Sequence, residues 1–122
     1  MNDKGSFSPQ PSPLNPTFSS FPVLVLDDEP LALRVAEIML QAAGIKPVIT
    51  LSDSRELMSR LAKQPVAVLL LDLTMPHLTG EELLPEVTAK YPDLPVVVCT
   101  GANDVETAVH CMQAGAFDYI VK

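Results

Sequence analysis

The 122-residue sequence contains no tryptophan, few other aromatic residues and only two cysteines. Two cysteines are too few for a disulfide framework, so we interpret Cys99 and Cys111 as buried thiols of a protein in a reducing compartment. No apolar run approaches the length of a membrane span, and the N-terminus lacks a basic stretch followed by an apolar one. The sequence therefore predicts a cytoplasmic protein that is not embedded in a membrane.

Basic residues are also scarce, since eight lysines and arginines stand against fifteen aspartates and glutamates, for a formal net charge of -7. The basic residues are scattered over different predicted elements. Phosphate backbones are bound by clustered lysine and arginine, so this balance argues against direct nucleic acid contact by the domain. An acidic balance is also a common feature that simply keeps a cytosolic domain soluble.

The composition changes at about residue 20. Residues 1–20 are rich in serine and proline and lack apolar periodicity, which predicts a flexible tail. From Phe21 onward, short apolar runs alternate with segments of helical period, and the length of residues 21–122 suits one domain. The runs predicted as strands are Val23–Leu26, Pro47–Thr50, Val66–Leu71, Pro95–Cys99 and Phe117–Val121.

Three of these runs are almost continuously aliphatic and β-branched, as in strands that are buried on both faces. Their alternation with helices predicts right-handed βαβ units and an α/β fold, a doubly wound five-stranded parallel sheet with helices on both faces. The pattern stops at a strand. We therefore expect that a final helix after Val121 is missing and that the sequence is a fragment of a longer protein.

Start and stop signals place four helices between the strands. Pro30 opens the first helix, where its missing N–H costs nothing, and Gly44 closes it. The apolar stripe predicted on this helix consists of Leu31, Val35, Ile38 and Ala42. The other starts are marked by Ser52 or Asp53, by the capping-box pair Thr79 and Glu82, and by Asn103 and Glu106. Pro85 does not fit its helix, and we expect it on an exposed side where the lost hydrogen bond is tolerated.

Polar residues stand at the ends of four of the predicted strands. These are Asp27, Asp28 and Glu29 after the first, Asp72 after the third, Thr100 and Gly101 after the fourth, and Lys122 after the fifth. Sites in open parallel sheets form at the carboxyl ends of the strands, so these groups are expected to converge. Crowded carboxylates favour a hard divalent cation such as Mg²⁺, and a lysine and a threonine suit an arriving phosphoryl group. The pattern therefore predicts phosphoryl transfer to an aspartate.

Four blocks in the sequence resemble the signature blocks of response-regulator receiver domains of two-component signalling. They are VLVLDDEP, LLLDLTMPHLTG, VVVCTG and FDYIVK, in the usual order and at the usual separations. The resemblance covers roughly Phe21 to Lys122, and DLTMPHLTG is specific by itself. It implies a flavodoxin-like receiver fold with the strand order 2-1-3-4-5.

The resemblance also implies the roles of the acidic residues. Asp72 corresponds to the phosphoacceptor of the family. Asp27 and Asp28 correspond to the acidic pair that holds Mg²⁺ or Mn²⁺, together with Asp72 and the backbone carbonyl of Thr74. Gly80 corresponds to the family's usual glycine in the segment that follows the phosphoacceptor.

The switching residues follow from the same resemblance. Thr100 is similar to the hydroxyl that closes on the phosphoryl group, and Tyr119 to the aromatic residue that turns inward when this threonine moves. Lys122 resembles the invariant lysine, and Gly101 the small residue that leaves room for the phosphodonor. Such switching is a population shift between two states, biased by the new dianionic group.

The implied function is that of a regulatory phosphoacceptor, a phosphoprotein that is not an enzyme except upon itself. The implied donor is a sensor histidine kinase or a phosphotransfer protein, and a homodimer is a further possible partner. The run NDVETAVHCMQAGAFDYIVK resembles receivers of sigma-54-dependent activators, which implies transcription regulation.

Two other functions are consistent with part of the pattern. A haloacid-dehalogenase-like phosphatase also uses a strand-end aspartate, but it requires a second aspartate where Thr74 stands. A pseudo-receiver would lack an acid, the threonine or the lysine, and this sequence lacks none of them.

Overall fold

A computed structural model describes residues 21–101 and 104–122 of the chain. The predicted tail, residues 1–20, and the predicted helix cap Asn103 lie outside the described residues. The described strands are β1 (Val23–Leu26), β2 (Val48–Leu51), β3 (Val68–Asp72), β4 (Val96–Thr100) and β5 (Asp118–Val121). The described α-helices are α1 (Pro30–Ala42), α2 (Leu57–Lys63), α3 (Gly80–Lys90) and α4 (Val105–Gln113), and a 3-10 turn, Ser54–Glu56, precedes α2.

The five strands form one parallel sheet in the order β2-β1-β3-β4-β5. The doubly wound α/β fold and the strand order that the resemblance implied are therefore confirmed. The chain moves from β1 outward to β2 and then returns to the other side of β1 for β3. This reversal places the topological switch point between the carboxyl ends of β1 and β3, where sites of such sheets form.

The two faces of the sheet carry different cores. The larger core packs α2, α3 and α4 onto one face, and its fully buried members include Leu24, Leu57, Leu69, Leu84 and Val98. On the other face, Val23 and Val25 pack with Leu33 of α1. The alternating burial along β3 and β4 reflects this difference between the faces, whereas all four residues of β1 are buried.

The prediction of which apolar stripe of α1 packs on the sheet is wrong. Leu31, Val35 and Ile38 are 74%, 46% and 50% exposed, and Ala42 is also exposed. Leu33 is buried instead, and Ala36 and Leu40 pack beside it. The physical reason is that α1 is apolar around most of its circumference, so its periodicity fits two stripes and only the packing on β1 and its neighbouring strands selects one.

The local signals at the other helices are largely confirmed. Asp53, rather than Ser52, caps the turn before α2 by accepting the backbone N–H of Arg55 at 2.9 Å. Thr79 and Glu82 form the complete capping box at the start of α3. Pro85 lies within α3 on its exposed side, as expected. None of the helices in the described residues is long and apolar enough to cross a membrane.

Candidate functional site

The predicted strand-end residues meet at the carboxyl edge of the sheet. Asp27 directly follows β1, and Asp72 is the last residue of β3, which ends one position later than the predicted run. Leu26 and Leu71 are register partners in these neighbouring strands, which places the two aspartates side by side at the switch point. Both side chains lie in the interior, with 6% and 4% of Asp27 and Asp72 exposed. Two carboxylates buried this close together require a cationic partner.

Lys122 supplies that cationic partner. Its Nζ lies 2.9 Å from Oδ1 of Asp72 and 3.2 Å from Oδ2 of Asp27, and it donates a hydrogen bond to each. The backbone N–H of Lys122 donates to the carbonyl of Thr100 at 2.7 Å, which extends the pairing of β5 with β4 up to the lysine. The sheet therefore directs this ammonium group across β4 towards the two acids.

A third carboxylate completes an acidic cluster. One oxygen atom from each of Asp27, Asp28 and Asp72 lies within 4.8 Å of the others. Three carboxylates against one ammonium leave an excess of negative charge, and all the donor atoms are hard oxygens. Such a donor set fits Mg²⁺ or Mn²⁺, which bind to carboxylates together with waters and phosphate oxygens.

Burial raises the pKa of Asp72, and the neighbouring Asp27 carboxylate raises it further. The hydrogen bond from Lys122 and the N–H of Thr74, 3.4 Å from Oδ1, oppose that increase only in part. For Lys122, burial alone would lower the pKa, but the hydrogen bonds to Asp72 and Asp27 raise it. Lys122 therefore stays charged, while ionisation of Asp72 lowers the stability of the folded protein.

Replacing Asp72 with asparagine is expected to raise the free energy of unfolding at neutral pH when divalent cations are absent. A raised pKa means that the folded protein binds this proton more tightly than the unfolded chain, where the ordinary value is 3.8. The cost of ionisation is thus absent below pH 3.8, grows as the pH rises through the folded pKa, and is complete above it.

Denaturant unfolding of both proteins in a chelator, from below pH 3.8 to neutral pH, measures this difference. An advantage of the asparagine variant that does not change with pH would contradict the assignment of the cost to the Asp72 carboxyl group.

Thr100 is buried at the end of β4, but its hydroxyl is directed to the start of α4. Oγ1 donates to the carbonyl of Asp104 at 3.2 Å, with the carbonyl of Gly101 at 3.4 Å. Tyr119 lies in β5 opposite Val98 and is 37% exposed. The structure thus places Thr100 at the predicted carboxyl edge of the sheet, where its hydroxyl donates to the backbone carbonyl just before α4.

Thr74 begins the exposed part of the loop between β3 and α3, residues 73–79, which we call the acceptor loop. Gly80 follows it as the first residue of α3, and its N–H lies 3.3 Å from the carbonyl of Leu73. A Cβ atom at Gly80 would lie only 2.3 Å from the carbonyl oxygen of Asp72. Glycine is therefore required here by the close approach of α3 to the end of β3.

Two residues near the site were not predicted to belong to it. Cys99 is only partly buried, and burial raises the pKa of its thiol to about 11, with Asp72 and Asp27 adding to the effect against Lys122. Ser54 is buried and hydrogen-bonded to the acceptor loop. In the sequence, a serine after Asp53 is typical of a helix start and carries no signal of a contact 22 residues away.

Comparison with known sequences gives a consistent set of relatives. The family model for the response regulator receiver domain matches residues 23–122. The C4-dicarboxylate transport transcriptional regulatory protein DctD of Pseudomonas aeruginosa is 38% identical over 111 residues, covering 91% of this chain and 24% of DctD. The DNA-binding transcriptional regulator NtrC of Escherichia coli K12 is 37% identical over 100 residues, covering 82% of this chain and 21% of NtrC. The chain thus spans less than a quarter of the length of these two relatives.

Solved structures give the same fold. A response regulator receiver domain protein from Clostridium thermocellum has a TM-score of 0.74 at 31% identity, covering 84% of this chain and 82% of that one. Full-length FixJ from B. japonicum has a TM-score of 0.78 at 29% identity, covering 85% of this chain and 51% of FixJ.

Proposed function

Because this chain belongs to the response regulator receiver domain family, we propose that it accepts a phosphoryl group on Asp72 from a phosphohistidine. The phosphohistidine belongs to a sensor histidine kinase or a phosphotransfer protein. The observation that carries the proposal is the ammonium of Lys122, which lies 2.9 Å from Asp72 and 3.2 Å from Asp27 at the switch point of the sheet. An acceptor carboxylate beside a fixed cation is suited to a group that arrives with negative charge.

The transfer forms one bond and breaks one bond. A carboxylate oxygen of Asp72 attacks the phosphorus, a P–O bond forms, and the P–N bond to the imidazole breaks as a proton goes to the released ring. Lys122 donates to a phosphoryl oxygen and offsets its charge. Asp27, Asp28, Asp72 and the backbone carbonyl of Thr74 are the groups that would hold Mg²⁺ or Mn²⁺, which when bound would neutralise part of the phosphoryl charge.

The response to phosphorylation involves Thr100 and Tyr119. The hydroxyl of Thr100 leaves the carbonyl of Asp104, 3.2 Å away, and donates to a phosphoryl oxygen. This frees the backbone at the start of α4, and the partly exposed Tyr119 turns inward beside β4. The new dianionic group thereby shifts a two-state equilibrium, which is the physical basis of the signal.

The phosphorylated state is ended by water. Attack of a water molecule on the phosphorus restores the Asp72 carboxylate and releases inorganic phosphate. The domain acts only upon itself in both steps, so it is a regulatory module rather than an enzyme with a separate substrate.

The alternatives are less well supported. A haloacid-dehalogenase-like phosphatase requires a carboxylate where the exposed Thr74 stands. A pseudo-receiver would have lost part of the site, whereas the acidic cluster and its lysine are complete in this chain. The first alternative therefore requires a carboxylate that the chain lacks, and the second requires the loss of residues that the chain retains.

The wider setting is part of the same proposal. We place the protein in the cytoplasm and propose transcription as its output, which the names of DctD and NtrC as transcriptional regulators support. We further propose that the parent protein is a sigma-54-dependent activator, which the resemblance of residues 103–122 to receivers of such activators supports. The net charge of -7 supports an output that does not require this domain to contact DNA.

Incubation with a small acyl phosphate and Mg²⁺ tests the function. We expect intact mass spectrometry to show one phosphoryl adduct, because Asp72 is the single phosphoacceptor in the proposed reaction. Chelation of the metal should prevent the adduct, and hydroxylamine, which cleaves acyl phosphates, should remove it. A protein that stays unmodified would instead favour the pseudo-receiver, an interaction module without phosphorylation.

A further inference from the structure

Four polar or charged side chains are buried in the part of the chain that the structure describes. Three of them, Asp27, Asp72 and Thr100, belong to the proposed phosphorylation site. The fourth is Ser54, only 3% exposed, which lies in the turn before α2 and has no part in that chemistry. Because buried polar groups almost always have a hydrogen-bond partner, the partners of the Ser54 hydroxyl indicate why it is buried.

The hydroxyl of Ser54 binds the middle of the acceptor loop. Its Oγ donates to the carbonyl of Pro76 at 3.2 Å and accepts the N–H of Leu78 at 3.3 Å. These bonds span 22 and 24 residues of sequence, so they join the carboxyl side of β2 to the loop that follows Asp72. One oxygen atom thus satisfies two backbone groups on either side of His77.

His77 lies at the tip of this turn with a φ of 69°, the one non-glycine residue of the described chain with a positive φ. This left-handed conformation is unfavourable for a residue with a side chain, so the surrounding structure must hold it. The two hydrogen bonds of Ser54 flank His77 and provide that restraint. The ends of the loop are already fixed, at Asp72 by β3 and at Gly80 by its bond to Leu73.

We propose that Ser54 is a positioning residue, which holds the acceptor loop in the conformation that presents the carbonyl of Thr74 to the metal beside Asp72. The inference rests on the proposed function. Ser54 does not belong to the acidic cluster, and its hydroxyl acts through the backbone of the loop. Groups that hydrogen-bond a metal ligand directly typically change metal affinity about ten- to a hundredfold when they are replaced. Because Ser54 bonds the loop two residues beyond Thr74, we expect an effect at the lower end of that range.

Ser54→Ala tests the proposal, and Ser59→Ala is its matched control. Ser59 lies in the adjacent α2, is exposed, and donates to the carbonyl of Glu56 at 3.0 Å, so its replacement also deletes one serine hydroxyl bond but leaves the loop untouched. The first readout needs no metal. Hydrogen exchange of the Leu78 amide should accelerate at least about tenfold in Ser54→Ala, because its acceptor is lost, and remain unchanged in Ser59→Ala.

The second readout is the Mg²⁺ concentration that gives half-maximal phosphorylation, with calorimetric Mg²⁺ binding measured in parallel. We expect Ser54→Ala to raise the half-maximal concentration and the dissociation constant about tenfold, and Ser59→Ala to change neither. If Ser54→Ala exchanges faster at Leu78 but keeps the wild-type Mg²⁺ dependence, Ser54 has a structural role only. This result overturns the positioning role, while the proposed function stands. A wild-type chain that neither binds Mg²⁺ nor takes up a phosphoryl group overturns both.

Discussion

Asp72→Asn is expected to abolish phosphoryl uptake from a small acyl phosphate, with the variant remaining at its unmodified mass. Asparagine preserves the size of the side chain and its place at the end of β3, but its amide oxygen carries no negative charge and is a poor nucleophile. The change therefore removes the attacking group without removing the surroundings. Lys122 loses one carboxylate partner at 2.9 Å and retains Asp27 at 3.2 Å, so the ammonium stays at the edge of the sheet.

Asp93→Asn is the matched control for this prediction. Asp93 is an exposed carboxylate in the turn that precedes β4, at the opposite end of the sheet from Asp72. The same chemical change there should leave one phosphoryl adduct with an unaltered rate of formation. If Asp72→Asn still accepts a phosphoryl group at the wild-type rate, the acceptor is another carboxylate, and Asp27 and Asp28 become the candidates to replace in turn.

The sheet and its site were predictable because the sequence patterns that indicate them lie within short stretches of neighbouring residues. Strands buried on both faces must be continuously apolar, so the runs at Val23–Leu26 and Val66–Leu71 indicated a parallel sheet before any packing was known. A polar group that ends such a run lies at the carboxyl edge by geometry alone. This is why Asp27, Asp72 and Lys122 could be placed together from the sequence, and the structure brings them within hydrogen-bonding distance. The order of the strands required the family resemblance, because no local pattern specifies it.

The features that sequence reasoning missed depend on tertiary contacts. The stripe of α1 that faces the sheet is Leu33, Ala36 and Leu40, a choice that its nearly uniform apolar pattern leaves open. The Thr100 hydroxyl can turn about one side-chain bond, and its hydrogen bond to the carbonyl of Asp104 depends on where α4 begins. Ser54 binds a loop more than 20 residues away, and no spacing rule reaches that far. The sequence therefore identifies which groups converge, while their hydrogen-bond partners follow only from the assembled fold.

Gly80→Ala is expected to destabilise the domain by about 2 kcal/mol or more, although the same substitution in an ordinary helix raises stability by roughly 0.4–1 kcal/mol. Gly80 is buried as the first residue of α3. A Cβ atom there would lie 2.3 Å from the carbonyl oxygen of Asp72 and 2.9 Å from Cα of Leu73. Both neighbours are backbone atoms, which no change of side-chain rotamer can move aside, so α3 or the end of β3 must shift.

Gly101→Ala is the matched control, since it adds the same methyl group at the same edge of the sheet. Among the residues that the structure describes, a Cβ atom at Gly101 would meet Oδ2 of Asp104 at 3.6 Å, which is ordinary van der Waals contact. Its free energy of unfolding should stay within about 0.5 kcal/mol of the wild type. Denaturant unfolding of the three proteins measures both effects, and a Gly80→Ala protein as stable as Gly101→Ala would show that α3 does not approach β3 so closely.

The displacement at Gly80 also has a consequence for the proposed chemistry. The backbone atom that the new methyl group would push is the carbonyl of Asp72, the residue whose carboxylate must meet the incoming phosphorus. A misplacement of about 1 Å at a reacting group can slow a reaction by about a hundredfold, so phosphoryl uptake by folded Gly80→Ala should fall by a factor of that order. Uptake at the wild-type rate in a destabilised Gly80→Ala protein would show that α3 yields to the methyl group while β3 keeps Asp72 in place.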